Sequence, residues 1–519
     1  MISATLSPAL SSAQSRWSLL WAMLAGATAV VSFAPLNWWP VQVASLAMLL
    51  WLAVSQTAVR RSAWIGWSFS FGWMTAGTHW LYTSLHDYGG LPALMAVTAV
   101  LLLSAVMALY TAMAMAAGTW LRLRCALSPA ATLLLVYPPL WALAEWLRNW
   151  VGTGFPWIVS GYAHVDSPLA GYAPLFGVYG LGWLAALLAA CLVLAFTARR
   201  RLALGLAAAL TIAGIALNQL AWTSPHGAPI SVRLLQGNVP QEMKFNPESA
   251  SETLALYHDM ATEARADLIA TPETALPMMA HALPPDYLEL LAAFARQSKS
   301  NLLIGVPVSD GPGTYANSLL GLGADGSRNY RYDKHHLVPF GEFIPPGFRW
   351  FVDMMHIPLG DFTRGAAVQA PFAVAGQWVL PNICYEDLFG EEIADQIAAS
   401  YFSGKPQPTM LLNVSNIAWF GDSIALPQHL QISQMRSLET RRPMLRATNT
   451  GATAIVDARG RVQAQLQPYT RDVLTGQVQG MSGYTPYILL GNVPVLTAAV
   501  LLLGGIWFTR RKQKSSQNS

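Results

Sequence analysis

The sequence is poor in charged residues and in cysteine. Asp, Glu, Lys and Arg make up 11% of the chain and apolar residues 53%, whereas a typical globular domain is about 25% charged. Acidic residues are scarcest towards the two ends, with three in residues 1–228 and none in residues 481–519. This composition excludes an ordinary soluble protein. It predicts an integral membrane protein with one polar domain between residues 229 and 480.

Several signatures of ligand-binding proteins are also missing. No glycine-rich loop that could cradle phosphates is present, which argues against ATP or NAD. His335 and His336 are adjacent, and neighbouring histidines do not readily share one ion, so we expect no metal and no other cofactor. The net charge of +4 comes mainly from Arg and Lys beside apolar segments, so nucleic acid is not an expected partner.

Apolar runs occupy most of the first 222 residues and return near the C-terminus. Most are long enough to cross about 30 Å of hydrocarbon as helices, so the sequence predicts a polytopic α-helical membrane bundle of about eight spans. Pro138 and Pro139 should kink the fifth run, because proline removes a helical hydrogen bond. The runs are Trp17–Pro35, Val41–Ala58, Ala63–Tyr82, Leu91–Trp120, Ala130–Trp146, Leu169–Thr197, Leu202–Trp222 and Ile488–Phe508.

Basic residues are unevenly divided between the connecting loops. If the N-terminus is cytoplasmic, every inside segment carries Arg or Lys, and the short outside loops carry only Arg148. This bias predicts a bacterial inner-membrane protein with both termini in the cytoplasm and its polar domain in the periplasm. Asp87 and Glu145 lie near the outer ends of the spans, where carboxylates often only mark the interface. The inside residues are Arg16, Arg60, Arg61, Arg122, Arg124, Arg199, Arg200, Arg201, Arg510, Arg511, Lys512 and Lys514.

These patterns divide the chain into four predicted regions. Residues 1–222 would form a transmembrane bundle of seven helices, and residues 223–483 a periplasmic domain. Residues 484–509 would form a C-terminal transmembrane helix, followed by a cytoplasmic basic tail over 510–519.

Short strand-like and helix-like stretches alternate within the polar domain, which predicts an α/β layered fold. Asn317–Leu322 and Arg328–Tyr332 flank a Gly-Ala-Asp-Gly sequence, a pattern typical of a hairpin. Glu273, Lys334 and Cys384 each stand where a predicted strand ends. Loops at strand ends are where such domains place their chemistry.

Cys384 is the only cysteine of the polar domain, so it cannot form a disulfide within that domain. A lone cysteine is either buried and inert or reactive, and the sequence context leaves both alternatives open. It precedes a predicted helix over 388–400, whose N-terminal amides would favour the thiolate. Glu386 and Asp387 would raise the pKa of the thiol, so we expect Lys334 and the helix terminus to offset them.

Acyl transfer through a thiol requires a nucleophile, a base and a positive group that stabilises the oxyanion. Cys384, Glu273 and Lys334 supply these groups without a histidine. Position alone does not distinguish them from ordinary solvated side chains.

The local sequences around these three residues resemble the Glu–Lys–Cys motifs of the nitrilase superfamily. With the flanking apolar runs, the chain resembles the bacterial apolipoprotein N-acyltransferase family over its whole length. The motifs are Thr271-Pro272-Glu273, Tyr332 to Glu342 and Asn382 to Glu386. Gln236 to Asn238, Asn413 to Asn416, Ala418 to Gly421 and Arg442-Pro443 also fit.

The resemblance implies a nitrilase-like αββα sandwich for residues 229–480 and a two-step reaction. A phospholipid would give an acyl chain to the cysteine and leave as a lysophospholipid. The thioester would then acylate the α-amine of an S-diacylglyceryl cysteine at the N-terminus of an apolipoprotein. The resemblance makes Cys384 the nucleophile, Glu273 the general base and Lys334 the oxyanion stabiliser. The supporting motif positions are Glu342, Tyr385 and Glu386.

Two positions depart from the family pattern, and one segment suggests how lipid enters. Thr271 stands where Trp is frequent, and Phe245 follows Lys244 where Trp is expected, which affects the lipid pocket rather than the chemistry. Phe343–Phe362 is rich in large apolar residues. We predict a mobile apolar lid that touches the bilayer; the alternative is a loop packed on its own domain.

Two other functions stay open from the sequence. The same three residues could hydrolyse an amide or a nitrile, as in soluble members of the superfamily. Alternatively, the chain could be a lipid transporter or flippase with an inactive external module, although its charge-poor helices disfavour ion-coupled transport.

Overall fold

The computed structural model describes residues 10–244, 247–352 and 361–517. They form two compact units. The first contains the described residues up to His79, Val97–Gln219 and the described residues from Asn492 onwards. The second contains Trp80–Ala96 and the described residues within Leu220–Gly491.

The first unit is built from helices that coincide with the predicted apolar runs. These stretches are predominantly apolar, and in a membrane a helix satisfies every backbone polar group internally, so the helix is their stable conformation. The helices are Leu10–Thr28, Trp39–Val54, Val59–Gly77, Ala93–Arg124, Pro129–Leu135, Tyr137–Trp150, Ala173–Ala195, Arg200–Asn218 and Val493–Gln517.

Four helical segments are long and apolar enough to cross a membrane: Ala93–Arg124, Pro129–Thr153, Pro168–Ala195 and Arg200–Asn218. Other apolar helices are shorter; the 16 residues of Trp39–Val54 extend about 24 Å at the rise of an α-helix. The predicted helical membrane bundle is therefore confirmed, whereas the predicted count of eight spans is not.

The fifth run is interrupted where Pro138 and Pro139 predicted a kink. One helix ends at Leu135 and the next begins at Tyr137, because two consecutive prolines cannot donate to the preceding turn. Further along, Glu145 is buried and accepts hydrogen bonds from the Ser160 amide at 2.7 Å and the Ser160 hydroxyl at 2.6 Å. It lies inside this unit rather than marking its surface.

The second unit contains two six-stranded mixed sheets and a two-stranded pair, Ser224–Pro225 with Met481–Ser482. The first sheet has the spatial order Asp472–Val478, Ile230–Gln236, Leu268–Ala270, Asn301–Gly311, Thr314–Leu322, Tyr330–Asp333. The second has the order Val462–Gln465, Ala454–Val456, Met444–Thr448, Met410–Ser415, Gln377–Ile383, Phe372–Val374.

The two sheets pack face to face, with helices on their outer faces. Leu234 and Leu303 of the first sheet meet Val379 and Leu412 of the second in one apolar core. Outer cores form between the first sheet and helices Pro247–Thr262 and Tyr287–Ser298, and between the second sheet and helices Gly390–Ser403 and Ala425–Thr440. This is the αββα sandwich that the family resemblance implied. The remaining short helices are Leu81–Thr83, Gln241–Lys244, Arg349–Val352 and Pro486–Leu490.

Local features of the second unit agree with the sequence patterns in part. Thr314–Leu322 and Tyr330–Asp333 pair antiparallel, so the predicted hairpin is confirmed. The helix expected to begin at Leu388 begins at Gly390, because residues Cys384–Leu388 form a separate 3-10 turn.

Part of the predicted lid Phe343–Phe362 lies outside the described residues, and Phe245 lies outside them altogether. Within the described part, Phe348 and Trp350 are exposed, and the Phe340 and Phe348 rings pack edge to face at 5.4 Å. Mobility of this segment stays a prediction.

Candidate active site

The three residues singled out at strand ends converge in the second unit. Glu273 follows strand Leu268–Ala270, and Lys334 follows strand Tyr330–Asp333 of the same sheet. Cys384 follows strand Gln377–Ile383 of the other sheet. The packing of the two sheets therefore brings together groups that lie 50 or more residues apart in sequence.

Lys334 is buried between two carboxylates. Its ammonium lies 2.8 Å from Glu342 Oε1 and 3.2 Å from Glu273 Oε1. Burial alone would lower the pKa of Lys334, but the two carboxylates outweigh it and raise that pKa above its ordinary value. The two carboxylates therefore favour the charged form of Lys334. Two of its three N–H groups are used by these carboxylates, which leaves one for a further acceptor.

Asn317 ties the two carboxylates together. Its side-chain amide donates to Glu273 Oε1 at 2.7 Å and to Glu342 Oε1 at 2.9 Å. The other Glu342 oxygen accepts from the Val338 amide at 2.9 Å. The sequence pattern placed Asn317 only at the start of a predicted strand. An amide side chain within a predicted strand was the available signal, since buried amides are rarely left without partners.

The other oxygen of Glu273 is fixed from the second sheet. Glu273 Oε2 accepts from the backbone amide of Asn416 at 2.8 Å. The Asn416 side chain is itself bonded to Gln241 at 2.8 Å and to Asn449 at 3.1 Å. The sequence motif included Asn416, but its backbone N–H as the donor could not be read from the residue type.

Cys384 occupies a left-handed backbone conformation with φ 52°, which is unusual for a residue with a side chain and places the thiol at a sharp turn. Its carbonyl accepts a hydrogen bond from the Asn413 side chain at 3.2 Å, and its thiol is hydrogen-bonded to Glu273. Desolvation, followed by the charge of Glu273, raises the pKa of the Cys384 thiol above its ordinary value, and Lys334 only partly opposes them.

The expectation of a thiolate stabilised by a helix terminus is therefore wrong, and the resting group is the thiol. The carboxylates that raise its pKa are Glu273 and Glu342, not the sequence neighbours Glu386 and Asp387. Among these groups, Glu273 is the carboxylate that is hydrogen-bonded to the thiol.

Glu386 links the segments that carry Lys334 and Cys384 through hydrogen bonds to both. One of its oxygens accepts from the His335 amide at 2.7 Å, and the other from the Ile383 amide at 2.6 Å and the Tyr332 hydroxyl at 3.0 Å. Burial raises the pKa of Glu386, while these backbone donors lower it. Its position supports a structural role in aligning the site.

Asp387 belongs to a buried network around Arg446 and is not among the carboxylates that raise the pKa of the Cys384 thiol. It pairs with Arg446 at 3.0 Å, and both side chains are fully buried. Desolvation raises the pKa of Asp387, and Arg446 opposes that shift. The partner lies 59 residues away, so sequence proximity to Cys384 gave the wrong environment for this carboxylate.

Aromatic and histidine rings pack around Phe389, next to the turn that bears Cys384. Tyr385 is buried and packs edge to face on Phe389 at 5.2 Å. His336 stacks on Phe389 and places Nδ1 2.8 Å from Glu392 Oε1, while His335 Nδ1 lies 2.8 Å from the Gly365 carbonyl. The two histidines thus point to different partners.

Family models match both parts of the chain. Residues 25–191 match the model described as the apolipoprotein N-acyltransferase N-terminal domain, and residues 220–487 match the carbon-nitrogen hydrolase model.

Full-length relatives give the same result. A protein of Ralstonia nicotianae named apolipoprotein N-acyltransferase is 51% identical over 96% of this chain and 95% of its own length. Proteins with the same name from Bordetella bronchiseptica and Nitrosomonas europaea are each 45% identical, over 92% and 93% of this chain and 94% and 96% of their own lengths.

Proposed function

The chain belongs to the apolipoprotein N-acyltransferase family, and from this premise we propose that Cys384, Glu273 and Lys334 carry a two-step acyl transfer. The donor is a membrane phospholipid. The acceptor is the free α-amine of an S-diacylglyceryl cysteine at a lipoprotein N-terminus. The reaction is an acyltransferase reaction of lipoprotein maturation.

In the first step Glu273 takes the proton of the Cys384 thiol while the sulfur attacks the ester carbonyl of the phospholipid. A carbon–sulfur bond forms, and the negative charge that develops on the carbonyl oxygen is stabilised by the remaining N–H of Lys334. Collapse breaks the ester C–O bond. Glu273 returns its proton to the leaving oxygen, so a lysophospholipid departs and a neutral thioester stays on the enzyme.

In the second step the lipoprotein amine attacks the thioester carbonyl. Lys334 stabilises the same oxyanion, and Glu273 accepts a proton from the nitrogen. The carbon–sulfur bond breaks, the proton passes to the sulfur, and an amide and the free thiol result. A thioester suits this step because it stays reactive towards amines.

One observation carries the proposal: the Lys334 ammonium lies 3.2 Å from Glu273 Oε1, and that same carboxylate is hydrogen-bonded to the Cys384 thiol. Base, cation and nucleophile are therefore in mutual reach before substrate binds. Glu342 holds the cation, while Glu386 and Tyr385 hold the turn that bears the sulfur.

Chain organisation supports a location at the membrane surface. We propose a transmembrane bundle over 1–222, a periplasmic catalytic domain over 223–483, a transmembrane helix over 484–509 and a basic tail over 510–519. The charge bias of the loops supports cytoplasmic termini in a bacterial inner membrane. Both substrates are lipids anchored in the bilayer, so a tethered catalyst meets them without desorption.

Mass spectrometry of a diacylated lipopeptide tests the proposed function. Wild-type protein in phospholipid nanodiscs should add the mass of one acyl chain to the peptide N-terminus, and Cys384→Ala should add none. The matched control Cys191→Ala, which removes a buried thiol in the helix Ala173–Ala195, should transfer normally. An unchanged lipopeptide with the wild type would refute the transferase and favour hydrolysis or transport.

A further inference from the structure

The stretch Trp80–Ala96 follows the apolar helix Val59–Gly77 and ends in the first turn of Ala93–Arg124, yet it packs within the catalytic unit. It was predicted to contain the end of one span and the start of the next. Instead it forms a short helix at Leu81–Thr83 and a π-helical turn at Ser84–Tyr88. These short turns interrupt the long apolar helices, and the contacts of the segment explain why.

Two rings of this stretch pack on the same turn of the catalytic unit. Trp80 is buried, and its ring centroid lies 4.3 Å from that of Phe420. Tyr88 packs edge to face on Trp419 at 5.9 Å. Such aromatic pairs are stabilising beyond the area they bury.

Gly421 shows how closely the segment approaches this turn. Its φ is +60°, and a Cβ placed there would lie 3.0 Å from Thr83 Cγ2. A side chain at this position would therefore be strained and would press on the segment. The turn Ile417–Phe420 and the following Gly421 are thus held by two ring contacts and by the close approach of the Thr83 side chain.

The residue immediately before this turn is Asn416, whose backbone N–H donates to Glu273 Oε2 at 2.8 Å. A backbone N–H cannot be reoriented by rotating a side chain. The direction of the Asn416 N–H therefore depends on the backbone conformation of the residues on either side. The path on one side is set by strand Met410–Ser415, and on the other by the turn that Trp80 and Tyr88 hold.

We propose that Trp80 and Tyr88 are positioning residues, which hold the Ile417–Gly421 turn so that the Asn416 N–H stays aimed at the general base Glu273. The ring contacts of Trp80 and Tyr88 described above are with Phe420 and Trp419, not with Glu273, Lys334 or Cys384. The inference rests on the proposed function, because it concerns the base that accepts the thiol proton.

The pH dependence of acylation distinguishes positioning from general stability. A hydrogen bond to the charged carboxylate favours its charged form, so losing the Asn416 donor should move the acidic limb of the rate profile to higher pH. The expected displacement is about one pH unit, since one unit corresponds to the effect of a typical hydrogen bond. A variant that is merely less stable would lose active protein but keep the midpoint of that limb.

The experiment measures the rate of acyl-adduct formation on Cys384 by intact mass, from pH 5 to 9, at saturating phospholipid. Trp80→Ala should displace the acidic limb, whereas Trp80→Phe, which keeps an aromatic ring against Phe420, should follow the wild type. Tyr287→Ala removes another buried ring of the catalytic unit and controls for lost stability. The acidic limb of the pH–rate profile of Tyr287→Ala should coincide with that of the wild type.

A displaced limb in Trp80→Ala alone supports the inference. An undisplaced limb in Trp80→Ala, with a wild type that reacts normally, overturns it and leaves the proposed function intact. If Trp80→Ala does not fold, Tyr88→Ala answers the same question, because its ring is only partly buried; an undisplaced limb there overturns the inference. Absence of any adduct on the wild type would refute the proposed function and this inference together.

Discussion

Replacing Glu342 with Gln tests how much the negative charge of Glu342, as distinct from its packing, supports Lys334. The side chain keeps its shape, but the negative charge 2.8 Å from the Lys334 ammonium disappears. At an effective dielectric constant of about 20 this pair attracts by about 6 kcal/mol before desolvation is subtracted. Hydrogen bonds to charged groups retain about 1.5–3 kcal/mol of net stabilisation.

The geometry prevents Gln from replacing the lost contacts. One Glu342 oxygen accepts from Lys334 and Asn317, and the other accepts from the Val338 amide. An amide has one acceptor oxygen, so either orientation sets its NH₂ group against a donor. If the full net stabilisation is lost in the transition state, the first step should slow about 10- to 150-fold.

Quenched-flow measurement of acyl-adduct formation on Cys384, at saturating phospholipid, checks this value. Glu392→Gln is the matched control, because Glu392 is a partly exposed carboxylate that pairs with His336 outside the Lys334 cluster. It should slow the step less than threefold. A Glu342→Gln rate within threefold of the wild type would show that Lys334 does not depend on this partner.

Three further outcomes follow from the same contacts. Glu273→Gln removes a charge that raises the pKa of the Cys384 thiol, so alkylation by iodoacetamide at pH 8 should accelerate while acyl-adduct formation falls about 100-fold or more; a parallel loss of both rates would contradict this assignment. Wild-type alkylation should climb steadily to pH 10, because a raised thiol pKa keeps the thiolate scarce below it, and a plateau under pH 9 would mean an ionised thiol. Arg446→Met leaves the Asp387 charge buried without its partner and should lower the free energy of unfolding by about 3–5 kcal/mol. Thermal unfolding should show a lower midpoint for Arg446→Met and an unchanged midpoint for the exposed Arg459→Met. Equal midpoints for Arg446→Met and the wild type would contradict a stabilising role of the Asp387–Arg446 pair.

The sequence was a good guide to features set by local pattern. Alternating strand and helix patterns predicted the α/β layers, and the Gly-Ala-Asp-Gly sequence predicted the hairpin before Lys334. Strand ends located Glu273, Lys334 and Cys384, since side chains at these edges face the space between neighbouring loops. Their assignment as a triad depended on the motifs, and their roles stay proposals.

Features set by long-range packing could not be predicted in this way. The Asn317 bridge needs two carboxylates, from positions 273 and 342, that meet only in the folded domain. The raised pKa of Cys384 depends on desolvation, which neighbours in sequence do not determine. The Trp80–Ala96 stretch resembled span ends because apolar and aromatic residues serve equally in a membrane and against another protein surface.

Intact-mass analysis of the protein after incubation with phospholipid alone tests the central assignment most directly. The wild type should gain the mass of one acyl chain on Cys384, because the first step needs no lipoprotein, and the adduct should disappear when a diacylated lipopeptide is added. Cys384→Ala should gain nothing, while Cys125→Ala should behave as the wild type. A wild-type protein that transfers the acyl chain without a covalent adduct, or an adduct that survives in Cys384→Ala, would contradict the assignment of Cys384 as the nucleophile.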